Sequence, residues 1–340
     1  MHDVALSVAG TEWRGWKEVR IRRSIRQISS EFTLRLTDKW SENMQPRPII
    51  EGDACTIKID DRTVITGFID DLTPFYDANT HGVEVQGRDV TGDLVDCSAP
   101  SFQWRGRSLL EGATELCKPF GIPVRATVDV SRQFDSLKSD EGESLFDVIE
   151  TAARIRGVLL MSDGLGGLVI GRAGTERMSG ALVLGENIKA GNCRRSMRDR
   201  HSKYTVKGQS NNPFTEITAV TASAEDKLVR RFRPKTILAE DGLDIGGCRD
   251  RAIWHRNTAF ANSTSATYTV NGWYLDGQLI EPNKLIAVRD TWLKINADQL
   301  ISDVSYVIDE KGLRCEITVA DPAAFDLKEL PEPADEGAIF

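Results

Sequence analysis

The chain has 340 residues, of which 40% are hydrophobic and 28% are charged. These values are typical of folded soluble proteins and exclude collagen-like, low-complexity and wholly disordered chains. At roughly 100–200 residues per domain, the length predicts two or three domains. The sequence carries 43 Lys and Arg against 51 Asp and Glu, a formal charge of −8. This balance argues against nucleic-acid binding over the whole surface, although a local basic stripe remains compatible with it.

The sequence carries no pattern of an export signal or a membrane span. Its first residues lack a basic region followed by an apolar one, and no stretch approaches 18 consecutive apolar residues. The six cysteines are scattered without a CxxC pair, at positions 55, 97, 117, 193, 248 and 315. We therefore expect reduced thiols and a protein made in a cytoplasm, without membrane insertion.

The first 96 residues alternate between apolar and polar side chains with a period of two. Val19 and Ile21 alternate with basic residues, and Phe32, Leu34 and Leu36 repeat the pattern. Several such short strands, separated by Gly, Asp and Pro turns, predict a small β-barrel or sandwich over residues 1–96.

The pattern changes at residue 97, where helical spacing begins. Ser108 with Glu111, and Ser144 with Asp147, have the spacing of capping boxes at helix N-termini. Apolar residues follow each serine at helical intervals. A β-hairpin with a turn at Asp163-Gly164 then completes the segment. Residues 97–174 are therefore predicted to form a separate α/β domain.

Strand patterns return over residues 175–329, interrupted at about 212–262 by an insertion. Within the insertion, residues 247–261 are predicted to be helical, and four strands are predicted after it, around 268–270, 285–288, 304–308 and 315–319. This segment is predicted to be a second barrel with an α/β insertion. The final residues, 330–340, are acidic and contain two prolines, so a flexible tail is expected there.

The sequence holds no recognisable catalytic or metal-ligand motif. The nearest approaches to zinc-ligand spacing are Cys193 with His201 and Cys248 with His255, for which a buried thiol and a surface imidazole are the better interpretation. Glycines between 164 and 174 fall in a predicted strand–turn–strand, where a dinucleotide fingerprint needs strand, turn and helix. The sequence therefore predicts no catalytic, cofactor-binding or metal-binding residue, no cofactor and no enzyme activity.

Paired carboxylates at Asp60-Asp61, Asp70-Asp71 and Asp140-Glu141 are a further candidate for chemistry. A glycosidase holds one carboxyl group of such a pair in an apolar pocket, which raises its pKa. These pairs are predicted to lie in turns with polar neighbours, so solvated loop charges are the favoured interpretation. A pair assembled from distant segments is left open.

Two local basic stretches stand out in the acidic chain. They are Arg20, Arg22, Arg23 and Arg26, and Arg194, Arg195, Arg198, Arg200 and Lys203. Either stretch could contact nucleic acid. Charged strand edges that block unwanted pairing, or contacts with an acidic protein partner, explain them better.

Several segments, in this order along nearly the whole chain, resemble a known family. They are Trp13-x-x-Trp16, the stretch FTLRLTDKW at 32–40, the stretch GRDVTGDLVDCS at 87–98, ESLF at 143–146 through RGVL at 156–159, ISDVSY at 301–306 and ADPAAF at 320–325. Together they resemble the baseplate hub protein of Mu-like contractile-tailed phages, the tail protein P or late control protein D family.

The resemblance implies a structural protein of the virion tail baseplate, assembled in the host cytoplasm. It implies a homotrimer with two tube-like β-barrel domains per chain, which adapts the six-fold tail tube to the three-fold spike around a central channel. Its implied partners are the tail tube protein, the trimeric spike and other baseplate proteins. Phage DNA would pass through the channel without specific binding.

Two alternatives remain at this stage. The same geometry serves the hub of a tailocin or of a type VI-like injection system, and one chain does not separate these from a phage hub. A cell-wall hydrolase of the tail is the other alternative, although the chain offers no catalytic grouping for it.

Overall fold

The computed structural model describes residues 3–37, 49–78, 81–210, 218–239 and 245–329. The predicted tail at 330–340 and the Asp38-Lys39-Trp40 part of the family pattern lie outside these residues. Of the described residues, 50% lie in strands and 17% in helices, so the protein is mostly β, as the strand patterns over residues 1–96 and 175–329 predict. None of the helices in the described segments is long and apolar enough to cross a membrane.

The first part of the chain forms seven strands. They are β1 Val4–Val8, β2 Thr11–Trp13, β3 Glu18–Ser24, β4 Glu31–Thr37, β5 Ala54–Ile59, β6 Arg62–Tyr76 and β7 His81–Asp89. Burial along these strands follows the alternation of apolar and polar residues in the sequence. In β3, for example, Val19 and Ile21 are buried, whereas Glu18 and Arg20 are exposed.

The middle segment combines short strands with three helices. Its elements are α1 Asp93–Asp96, β8 Gln103–Trp104, β9 Arg107–Ser108, α2 Leu109–Cys117, β10 Val124–Ala126, β11 Gln133–Phe134, β12 Leu137–Lys138, α3 Leu145–Ile155, β13 Leu159–Ser162 and β14 Leu168–Gly171. Both predicted capping boxes are confirmed: Ser108 caps α2 with Glu111, and Ser144 caps α3 with Asp147. The predicted hairpin is the antiparallel pair β13–β14.

The last part returns to strands around an inserted segment. Its elements are β15 Arg177–Val183, β16 Ile188–Arg195, β17 Lys203–Ser210, β18 Thr218–Glu225, β19 Pro234–Leu238, α4 Ile245–Asn262, β20 Thr264–Asn271, β21 Tyr274–Leu275, β22 Gln278–Leu279, β23 Leu285–Asp290, β24 Ile295–Asp309 and β25 Gly312–Ala320. The inserted segment, residues 196–263, contains the sheet β18-β17-β19 with α4 packed on one face.

The same strand order occurs twice. In the first β unit, defined as β3–β7, the hydrogen-bonded order is β5-β6-β7-β4-β3. In the second β unit, defined as β16, β20, β23, β24 and β25, the order is β23-β24-β25-β20-β16. Counted along the chain, both units have the order 3-4-5-2-1. The inserted segment follows the first strand of the second unit, where the first unit has only the loop 25–30.

Details of the two units agree as well. In each, a 15-residue fourth strand precedes a 9-residue fifth strand. Each fifth strand leads to an Asp that caps a 3₁₀ turn, since Asp89 accepts from Thr91 N at 3.1 Å and Asp321 accepts from Ala323 N at 2.9 Å. The second β region therefore repeats the architecture of the first.

The two units join in one 13-stranded sheet, because β3 pairs antiparallel with β24. We call this pairing the internal interface; it places Ile21 opposite Tyr306, both fully buried. One hydrophobic core runs through both units, and the middle segment has a second core built around α2 and α3. Within the described residues, the pairing closes neither unit into a ring. The two-barrel layout therefore stays a prediction.

Candidate interaction surface

The Cys–His spacings do not form a metal centre. The described part of the chain contains no group of three His, Cys, Asp or Glu side chains that could hold a metal ion. Cys193 lies on β16, and His201 follows in the connection to β17. Cys248 is buried under the small inserted sheet. His255 is half-buried two turns later on α4, and burial lowers the pKa of its imidazole to about 4.

The glycine run at 164–167 is the turn of a β-hairpin. The carboxylate of Asp163 accepts hydrogen bonds from the backbone N–H groups of Leu165 at 2.8 Å and Gly167 at 2.9 Å. The carbonyl of Gly164 accepts from Thr66 N of β6 at 2.8 Å. This turn therefore docks the middle segment on the first β unit.

The paired carboxylates take separate positions. Asp60-Asp61 forms the turn between β5 and β6, with both φ angles positive at 46° and 66°. Asp70 accepts from Arg88 Nε at 2.8 Å. Its neighbour Asp71 is exposed, and both lie within β6, so the prediction of a turn there is wrong. Asp140-Glu141 lies in the loop before α3, as predicted. None of these three pairs sits in an apolar pocket, so they offer no glycosidase geometry.

Asp89, in the family-like stretch 87–98, ties the middle segment to the first β unit. Its side chain is 2% exposed and accepts hydrogen bonds from Ser30 N at 2.8 Å, Ser29 Oγ at 3.1 Å and Ser162 Oγ at 2.6 Å. It also accepts from the backbone N–H and hydroxyl of Thr91. A buried carboxylate with this many donors fixes three chain segments at one point.

The first basic stretch lies at the internal interface and is paired with carboxylates. Asp303 of β24 is approached by Arg22 at 3.5 Å and by Arg26 at 3.6 Å. Arg20 lies 3.5 Å from Glu316 of β25. The stretch therefore joins the two β units within one chain.

Buried partners complete this interface. Arg23 donates to the carbonyl of Asp163 at 2.9 Å and to Glu281 at 3.5 Å. Ser24 Oγ donates to Asp303 at 2.7 Å, and the backbone N–H of Arg26 donates back to Ser24 Oγ at 2.9 Å. Charge pairing and strand pairing thus act on the same residues.

The second basic stretch is organised differently. Arg200 is buried and holds Asp226 through a bidentate pair at 2.7–3.0 Å, while Arg195 donates to the carbonyl of Leu293. The remaining members are exposed and have no described carboxylate within the 4.0 Å ion-pair distance: Arg194, Arg198 and Lys203. In the described segments, this stretch therefore offers cations that no carboxylate of the same chain neutralises.

The two basic stretches contain nearly the same five residues. Residues 22–26 read Arg-Arg-Ser-Ile-Arg, and residues 194–198 read Arg-Arg-Ser-Met-Arg. In both, the hydroxyl of the serine accepts from the backbone N–H two residues later, at 2.9 Å for Ser24 and 3.2 Å for Ser196. The composition of the stretches was visible in the sequence, whereas this internal repeat is the signal that sequence analysis missed.

Three family models match the chain. They are "Mu phage baseplate assembly protein GpP-like, N-terminal" over residues 3–89, "Baseplate hub protein gp44-like, second domain" over 91–172, and "Mu phage baseplate assembly protein GpP, fourth domain" over 245–328. Among curated proteins, the chain is similar to the baseplate hub protein gp44 of Escherichia phage Mu, at 31% identity over 95% of this chain and 89% of that protein.

Solved structures give the same picture. The 43 kDa tail protein of prophage MuSo2 from Shewanella oneidensis matches 96% of this chain and 100% of that chain, with a TM-score of 0.85 and 34% identity. A component of the E. coli type VI secretion system matches 96% of this chain and 80% of that chain, with a TM-score of 0.60 and 10% identity. The second likeness concerns the fold alone.

Proposed function

We propose that three copies of this chain form a ring between the tail tube and the spike. The chain belongs to the Mu-like family of phage baseplate hub proteins. The family is structural: its members are baseplate and tail proteins, not enzymes. The protein is thus a component of the virion tail. The ring would adapt a six-fold tube to a three-fold spike around a central channel.

The duplicated strand order carries this proposal. Each chain supplies two β units with the order 3-4-5-2-1, so three chains supply six similar units while the assembly keeps three-fold symmetry. A ring with closed symmetry also leaves no interface free to extend into filaments. We infer that each unit, with its flanking strands, is the tube-like barrel of the predicted layout, with domains at 1–96, 97–174 and 175–329.

The partners follow from this position. A hub contacts other baseplate and tail components, and we propose the tail tube protein on one side and the trimeric spike on the other. The phage DNA would pass through the channel without specific binding, and assembly would take place in the host cytoplasm. Arg20, Arg22 and Arg26 of the first basic stretch already face Glu316 and Asp303 of the same chain, which favours a structural role for them.

Light scattering on the purified protein tests the trimer. A mass of about three times the 37.7 kDa of one chain is expected at micromolar concentration, with a ring in electron-microscopy projections. The contact between chains should exceed the roughly 1,000 Å² of a specific interface. A monomer that stays monomeric after addition of the tube and spike proteins would contradict the proposal.

A hub of a tailocin or a type VI-like system is the second candidate. The likeness to the type VI component, at a TM-score of 0.60, favours a shared fold, whereas the 31% and 34% identities are to Mu-like proteins. Purifying particles from the producing strain separates the two. Particles with a DNA-filled head indicate a phage, and headless particles indicate a tailocin.

A further inference from the structure

The duplication assigns equivalent residues in the two β units. In each unit, the pairing of the fourth and fifth strands shifts register at one place, between Ile69 and Asp71 in the first and between Ile301 and Asp303 in the second. These shifts place Asp71 and Asp303 at the same position. The neighbouring sequences agree, since residues 68–72 read Phe-Ile-Asp-Asp-Leu and residues 300–304 read Leu-Ile-Ser-Asp-Val.

The strand ladder extends this correspondence across the first unit. Asp71 lies opposite Gln86, Gln86 lies opposite Thr33, and Thr33 lies opposite Arg20. Two residues further along β3 is Arg22.

The strand ladder of the second unit, followed from Asp303 in the same way, leads to the corresponding position on β16. Asp303 lies opposite Thr318, Thr318 opposite Thr267, and Thr267 opposite Asn192. Two residues further along β16 is Arg194. Arg22 and Arg194 are therefore equivalent by pairing alone, and the near-repeat of residues 22–26 at 194–198 gives the same alignment independently.

The first of these two equivalent pairs of surfaces is joined within the chain, whereas the second pair is not joined among the described residues. Residues 19–24 of β3, which include the start of the 22–26 stretch, pair with the β24 edge at residues 303–308. Its counterpart, the 194–198 stretch, and the counterpart edge, β6 residues 71–76, are not paired with each other in this chain. Neither Arg194 nor Asp71 has an oppositely charged partner within 4.0 Å among the described residues.

Burial shows the same asymmetry. Ile25 is 5% exposed at the internal interface, whereas the equivalent Met197 is 46% exposed. Ile308 is partly buried, whereas the equivalent Tyr76 is 82% exposed. β3 alternates between buried and exposed residues, whereas β16 is exposed along nearly its whole length. Both open surfaces thus carry apolar side chains whose equivalents are covered.

We propose that residues 191–198 of one copy dock on β6 residues 71–76 of the next copy, and so repeat the internal interface between chains. The inference rests on the proposed three-chain ring. Arg194 then meets the partner's Asp71 as Arg22 meets Asp303, and Met197 is covered as Ile25 is. Because the two surfaces differ, each contact is head-to-tail, and three such contacts alternating with three internal interfaces close a ring.

If the proposed contact repeats the internal interface, the strand register of β3 and β24 also gives the register of β16 and the partner's β6. Tyr306 lies opposite Ile21, so the partner's Pro74 lies opposite Cys193. Pro74 lacks an N–H group and contributes no donor there. The contact is still held by the neighbouring main-chain groups and by the arginine–carboxylate pairing, which selects this edge over others.

Charge reversal tests the contact. We expect Arg194→Glu and Asp71→Arg each to lower the trimer fraction at least tenfold at micromolar concentration. The double variant, which carries both changes in every chain, should restore it. Arg154→Glu, on the exposed face of α3, is the matched control and should leave the mass unchanged. Arg22→Glu acts within one chain, so it should lower the melting temperature without a dependence on concentration.

Cross-linking tests the register even if association is weak. Under mild oxidation, Pro74→Cys should form a disulfide with the native Cys193 of a neighbouring chain, and a three-chain band should appear on a non-reducing gel. Adding Cys193→Ser should abolish the band. A wild-type trimer that neither charge reversal nor Pro74→Cys affects overturns this contact and leaves the trimer standing. Absence of both a trimer and a cross-link, also with tube and spike proteins present, overturns both proposals.

Discussion

At the scale of single residues, the family-like stretch at 87–98 contains a buried carboxylate with several hydrogen-bond donors. Asp89 is buried and accepts from Ser29, Ser30, Thr91 and Ser162. Its equivalent in the second unit, Asp321, accepts from one backbone N–H at an exposed turn. The capping Asp therefore accepts many more hydrogen bonds in the first β unit than in the second.

Asp89→Asn should therefore lower the free energy of unfolding by about 1–3 kcal/mol, because an amide NH₂ would face the donors that now meet a carboxylate oxygen. Asp321→Asn is the control, and it should cost less than about 0.5 kcal/mol, since Asn caps as well as Asp. Urea denaturation of both variants measures the difference. Equal losses would show that Asp89 acts only as a cap.

His255 links the inserted segment to pH. Burial, reinforced by Arg251 and Lys235, lowers the pKa of its imidazole to about 4, below the 6.5 of an unperturbed histidine. Between these values the unfolded chain binds the proton more readily, so this residue's contribution to stability is lost as the pH falls from about 6.5 to 4. His255→Gln lacks this titration.

We therefore expect the melting temperature of the wild type to fall more steeply than that of His255→Gln over this pH range, and the two curves to run parallel above pH 7. Thermal melts at matched ionic strength provide the measurement. Parallel curves over the whole range would show that the imidazole is accessible to solvent.

At the scale of elements, the two units use different side chains at equivalent core positions. In the first unit Phe32 lies opposite Gly87, and in the second Ala266 lies opposite Val319. A Cβ on Gly87 would come within 2.1 Å of the carbonyl oxygen of Phe68 and within 2.6 Å of the Phe32 ring. The larger side chain of the pair thus lies on β4 in the first unit and on β25 in the second.

Gly87→Ala should thus destabilise the protein by about 1–3 kcal/mol, because backbone oxygen and ring both oppose the added methyl group. Gly92→Ala, five residues later in the same stretch, is the matched control: its Cβ would have no neighbour closer than 3.4 Å. Denaturant midpoints of the two variants should differ clearly. A tolerated Gly87→Ala would mean that β6 and β7 can separate without cost.

The sequence predicted those elements whose signals are local. Ser108 and Ser144 mark α2 and α3, since a capping box needs only four adjacent residues. The strands β18 and β19 were missed within the interruption at 212–262. β19 begins with Pro234 and exposes most of its residues, so it shows no alternation. The N-terminal half of β24 was missed for a similar reason, because residues 295–299 are largely polar and unburied.

The interaction surface was predictable only in part. Both arginine stretches are evident in the composition, but their different roles depend on Asp303, which lies 281 residues from Arg22. Sequence spacing contains no signal for a contact of that range. The repeat of residues 22–26 at 194–198 would have indicated equivalent sites, and the strand order shows why they are equivalent.

At the scale of the molecule, the shared core makes the two β units dependent on each other. Ile21 of β3 is fully buried opposite Tyr306 of β24, and the core that contains both extends from Val4 to Val319. The middle segment has its own core around Ile149. The internal interface should therefore break only when both units unfold.

Ile21→Ala should lower the free energy of unfolding by about 2–5 kcal/mol through the lost contacts and the cavity. Because the core is continuous, hydrogen exchange should show the same loss of protection in β20 and β25 as in β4 and β7. Ile149→Ala, buried in the middle core, is the control; its largest loss should fall in α2 and α3. If Ile21→Ala accelerated exchange in the first unit alone, the two units would be independent folding units. A ring of six such units would then depend on contacts between chains far more than on the internal interface.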